Sequence, residues 1–88
     1  MHAVVVRVRV KDVSNAQQEL QERVIPGIKQ APGFVAGYWT RDKDDKGLSM
    51  VLFESEQAAT QASERVPGML PEAVELESVE VREVVAQA

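Results

Sequence analysis

The chain predicts an α+β domain built from four strands and two helices. Two observations carry that prediction: valine-rich segments with a two-residue alternation near both ends, and two stretches between them whose apolar residues recur at helical spacing. A third is an acidic turn, "DKDDKG", flanked by β-prone runs, which reads as a hairpin. The 88 residues are too few to divide into two cores, so one domain over residues 1–88 is expected.

The first strand is read over Ala3 to Lys11. Val4, Val6, Val8 and Val10 fall on one face, and Ala3, Val5, Arg7 and Arg9 on the other. Ser14 or Asn15 then offers a helix cap, and Ala16, Leu20, Val24 and Ile28 recur every four residues with polar residues between them. Pro26 and Gly27 are expected to interrupt the last turn of that helix, and Pro32-Gly33 to end the connection.

Phe34 to Arg41 and Leu48 to Phe53 are the two arms of the hairpin. Ser55 is the cap expected for the second helix, whose stripe of Ala58, Ala59, Ala62 and Val66 suits close packing, and "PGMLP" is expected to break it. A last strand falls within Val74 to Val85, with imperfect alternation around Glu75 to Val79 that points to a bulge or a late start. This order is the ferredoxin-like βαββαβ pattern, a four-stranded antiparallel sheet with both helices on one face. The opposite sheet face is left bare, yet no strand is polar on both of its alternating sets. A homodimer through that open face is therefore the expected partner arrangement.

Composition narrows the function classes. The net charge of −4, with acids dense near the C-terminus, gives no electrostatic footprint for nucleic acid. The absence of cysteine removes thiol chemistry, disulfides and cysteine-zinc sites together. Arg7 and Arg9 break the apolar run in "MHAVVVRVRV", which is too short and too charged for a membrane span or a signal sequence, so a cytoplasmic protein without membrane partners is expected.

The segment "GFVAGYWTRD" holds Phe34, Tyr38 and Trp39 and reaches Arg41. Strand alternation sends Tyr38 with Phe34, Ala36 and Thr40 to one face, and Trp39 with Val35, Gly37 and Arg41 to the other. Only one of the two large aromatics can look into any one cavity. Arg7, Arg9 and Arg41 are the cations that could bind an acidic group or stabilise an oxyanion, unless they pair with carboxylates. For Arg7 or Arg9 the expected partners are Glu75, Glu77 or Glu80 across the sheet. Tyr38, Trp39, Arg41, Arg7 and Phe53 are the candidate ligand-pocket residues. His2 reads as a solvated terminus, and "DKDDK" as a hairpin tip without the spaced oxygen ligands of a calcium loop. No metal site and no nucleophile–base pair is read from the sequence.

The order of elements together with "APGFVAGYW", the acidic turn and "LFESEQAA" resembles the dimeric α+β barrel superfamily, in particular its small antibiotic biosynthesis monooxygenase-like proteins. Pro32-Gly33-Phe34, Phe53-Glu54-Ser55, Ala58 and Ala59 carry the resemblance. It implies a homodimer whose two sheets face each other and a small apolar cavity between sheet and helices in each subunit. It implies, as an activity, cofactor-independent oxygenation of a small aromatic or polyketide-like substrate. The alternatives are a non-catalytic module that binds a small apolar or aromatic molecule or serves a stress response, and a purely structural dimer. The heme-degrading branch uses a helix-borne His, and His2 is the only histidine here, so no cofactor is expected.

Overall fold

The computed structural model describes residues Met1–Ala88. Strand β1 (His2–Val10) is followed by a helical arm in three pieces: α1 (Val13–Glu19), a π-helical stretch Leu20–Val24, and α2 (Ile25–Lys29). Then come β2 (Phe34–Arg41), β3 (Lys46–Phe53), α3 (Glu56–Met69) and β4 (Val74–Glu83). The four strands form one antiparallel sheet in the order β2-β3-β1-β4, with β1 and β3 in the middle. This is the ferredoxin-like arrangement. No helix is long and apolar enough to cross a membrane.

Valine alternation sets the two faces. Val4, Val6, Val51 and Phe53 point toward the helices and close a core with Ala59, Ala62 and Val66 of α3 and Ile28 of α2. Phe53 is fully buried, and its ring meets Phe34 edge-on, with centroids 6.3 Å apart and planes at 75°. The small-residue stripe does what its size permits: Ala59 and Ala62 let α3 lie close on the sheet.

The turns explain themselves from single residues. Gly33 has φ +79, and a Cβ there would lie 2.9 Å from the Cβ of Ala58, so only glycine fits both the conformation and the space. Its carbonyl accepts from the Glu54 amide at 2.8 Å, tying the start of β2 to the end of β3. In the hairpin tip Asp42 Oδ1 accepts from the amides of Asp44 and Lys46 at 2.8 and 3.0 Å, and Asp45 takes the left-handed conformation at φ 59.

Several expectations are corrected at the helix ends. The cap of α1 is Asp12, whose Oδ1 accepts from the Asn15 amide at 3.1 Å, rather than Ser14 or Asn15. Ser55 caps α3 as expected, accepting from the Ala58 amide at 3.1 Å. Pro26 does not interrupt its helix, which runs on to Lys29. The Ile25 amide reaches back to the Leu20 carbonyl, a wider π turn directly before the proline. That widening relieves the press of a proline ring on the carbonyl four residues earlier. Pro67 likewise lies inside α3, which continues to Met69 because Val66 is buried and Met69 and Leu70 pack against the core.

The strands carry two irregularities. The β1–β4 register shifts between Arg7, paired with Ser78, and Val8, paired with Leu76, which leaves Glu77 extra. Of the two readings of the broken alternation, a bulge or a late start, the structure shows the bulge. The β2–β3 register shifts between Phe34 and Ala36, leaving Val35 unpaired and 44% exposed. Phe34 therefore joins the helix-facing side, against the parity read from the sequence, and meets Phe53 there.

Candidate ligand cavity

Helix α3 seals one half of the sheet, whereas the arm does not seal the other. No residue of α1 or of the π-helical stretch is buried, and Ile28 alone is buried in α2. Between arm, α3 and sheet lies a cavity of about 530 Å³. Its floor includes Val6, Val8, Gly47, Ser49 and Val51, and its roof Ala16, Leu20 and Val24, the four-residue stripe read from the sequence.

Trp39 and Arg41 form one wall, and Phe53 lies at the inner end. The register orders them: Phe53 pairs with Phe34, Ser49 with Trp39 and Gly47 with Arg41, so the three levels succeed one another along β3. At ~3.4 Å per residue, Arg41 and Trp39 are about 7 Å apart along the strand, and Phe53 is about 20 Å from the Arg41 level. Gly37 positions the indole. It shares the helix-facing side with Trp39, and a Cβ built on it would come within 2.6 Å of the Trp39 ring, which lies back over the glycine. Gly47 has a similar role on the floor, where a Cβ would fall 2.7 Å from a Val8 methyl.

Tyr38 and Arg7 are placed elsewhere, on the opposite sheet face. Tyr38 is 62% exposed there, opposite Met50 in the ladder. Arg7 Nη1 donates to Glu80 Oε1 at 3.2 Å, the cross-strand pairing expected of it. Arg82 Nη2 contacts the same oxygen at 2.8 Å. The Arg82 hydrogen bond holds the Glu80 carboxyl below the usual carboxylate range; some desolvation opposes it, and Arg7 adds to it. Arg9 makes no ion pair, although Glu75 stands opposite it in the ladder, and Glu77 pairs with Lys46 at 3.2 Å.

The polar side chains at the cavity add residues that the sequence reading passed over. Gln17, Gln21 and Ser49 line it, and none of the side-chain hydrogen bonds of the fold engages them. The two glutamines lie four residues apart and so stack on one side of the arm beside the apolar stripe, a signal the sequence did contain. Arg41 is the single charged side chain of the lining, and its only partner is Asp45 at 3.3 Å, an exposed pair.

His2 departs from expectation. It is not a solvated terminus: it pairs with Phe53 and Glu83 at the start of β1, its side chain is 18% exposed, and Nε2 lies 3.4 Å from Glu56 Oε2. It lies outside the cavity lining. No group of three or more His, Cys, Asp or Glu side chains is arranged to hold a metal ion. No protein-family model matches the chain, and no curated protein aligns with it significantly.

Proposed function

We propose that the protein is a homodimeric α+β barrel module that binds a small apolar or aromatic molecule in the cavity beside Trp39. The cavity is the observation that carries this reading. It is a half-open cleft of about 530 Å³ with 19 of 26 lining residues hydrophobic, apolar surface that the arm leaves unfilled where close packing is the norm. That volume and that lining match small-molecule sites, which run to roughly 300–1,000 Å³ with a few placed polar groups.

The dimer rests on the other face of the sheet. Tyr38, Leu48 and Met50 are exposed there side by side, on β2 and β3, while Arg7, Glu80 and Arg82 occupy the β1–β4 half. A face with both an apolar patch and charges of both signs can complement a copy of itself across a twofold axis.

A second reading, cofactor-independent oxygenation of an aromatic or polyketide-like substrate, is favoured by the pairing of an indole surface with a guanidinium that can hold a substrate anion. The cavity lining holds no Asp, Glu, His, Lys or Tyr side chain. A substrate for this chemistry would therefore have to arrive already ionised, its own carbanion reducing oxygen.

The emission of Trp39, the single tryptophan, tests both. Titration with flavonoids, quinols and fatty acids should give a saturable shift; a band unmoved by all of them would overturn the binding reading. Oxygen uptake with the ligands that bind, lost in Arg41→Ala, would establish the enzyme, and binding without uptake would leave a binding module.

A further inference from the structure

The cavity has two unlike ends. Toward Phe53, Ile28 and Val66 it is wholly apolar, and toward the hairpin it carries Arg41, with Gln17 and Gln21 on the roof and Ser49 one level in. The arm starts beside the end of β1 at Val13 and returns to the Phe34 end of β2. Its first turns, which bear Gln17, thus lie at the Arg41 end.

Taking the binding reading above as its basis, we infer that the ligand is a small hydrophobic anion, of one or two rings, whose anionic oxygen group sits at Arg41 with its ring system against Trp39. The placement bounds the size: Arg41 and Trp39 share one face of β2 at successive levels, about 7 Å apart at the backbone. The indole lies back over Gly37, so a ligand has to reach from the guanidinium across at least one strand level to the ring, the span of an aryl acid. A guanidinium presents a planar fork of donors that matches a carboxylate bidentately. Gln17, Gln21 and Ser49 have free hydrogen-bonding capacity for the rest of the polar group.

The acids near this mouth do not oppose an anion equally. Asp42 directs Oδ1 at the amides of Asp44 and Lys46, inside the turn. Asp45 holds Arg41, yet both side chains are half exposed, at 48% and 53%, and such pairs are readily exchanged. Asp45 is thus a competitor that a bound carboxylate displaces.

The test uses the full chain and three probes of one shape: naphthalene-2-carboxylate, naphthalene-2-carboxamide and naphthalen-2-ylmethylammonium. Affinities come from calorimetry, and the Trp39 indole N–H resonance reports where each probe lies. The expected result is a carboxylate bound at least tenfold tighter than the carboxamide, with the ammonium weakest. Arg41→Gln should abolish that preference, costing the carboxylate at least tenfold in affinity and the carboxamide much less, and Asp45→Asn should strengthen carboxylate binding several-fold. Equal affinities for carboxylate and carboxamide, with the Trp39 resonance moved by both, would overturn the anion assignment and leave the cavity reading standing. Failure of all three to move that resonance, even at millimolar concentration, would overturn both.

Discussion

Trp39 and Tyr38 are neighbours with opposite surroundings, and the difference comes down to which face of β2 meets the helices. Alternation alone separates them but assigns neither. In the structure the helix-facing side is that of Gly37: two residues before Trp39 on the same face, it leaves room for the indole to fold back over the strand. Strand order made Arg7 or Arg9 legible as a partner of Glu75, Glu77 or Glu80, and the structure selects Arg7 with Glu80, whereas the exclusion of Arg7 and Tyr38 from the cavity required knowing the face. Gly37→Ala tests this local argument. The added methyl would fall 2.6 Å from the ring, so the indole must swing away into the cavity. A loss of about 1–3 kcal/mol is expected from overpacking, together with weaker ligand binding and a changed Trp39 emission. Unchanged emission would mean the ring rests elsewhere.

The helical arm shows what periodicity can and cannot deliver. Ala16, Leu20, Val24 and Ile28 recur at strict intervals of four, while an α-helix turns once in 3.6 residues, so the stripe drifts by about 40° at each step. The π-helical stretch Leu20–Val24 is wider per turn and takes back part of that drift, which keeps the stripe over the sheet up to Ile28. The repeat was visible in the sequence, but its widened turn was not, because Pro26 read as a stop and tertiary anchoring of Ile28 overrode it. The same blindness applied to Pro67 in α3. The two helical layers should differ in stability in a measurable way. Helix α3 buries Ala59, Ala62 and Val66, whereas α1 buries nothing. Amide hydrogen exchange should therefore be fast over Val13–Val24 and slow in the middle of α3, by at least two orders of magnitude, with the arm slowed when a ligand fills the cavity. Equal protection of the two layers would show that the arm packs down and that the cavity is closed in solution.

At the scale of the whole molecule, area decides whether one copy suffices. The 9.7 kDa chain exposes 5798 Å², where a compact monomer of that mass exposes about 5,100 Å². The surplus of about 700 Å² approaches the ~800 Å² that each partner contributes to a standard interface. Part of that surplus belongs to the cavity, whose lining includes Leu48, but the exposed Tyr38 and Met50 lie on the other side of the sheet and outside that lining. Burying them against a second copy would stabilise a chain without disulfides and with few buried residues, and would make its melting temperature rise with concentration. Sedimentation should accordingly give twice the chain mass. Met50→Glu would place a carboxylate in the middle of the patch, on the strand between Tyr38 and Val5, and is expected to raise the dimer dissociation constant at least a hundredfold. Because Met50 faces away from Trp39, the separated monomer should still bind ligand if it remains folded. A wild-type chain that sediments as a monomer at high micromolar concentration would remove the dimer and leave the cavity reading standing.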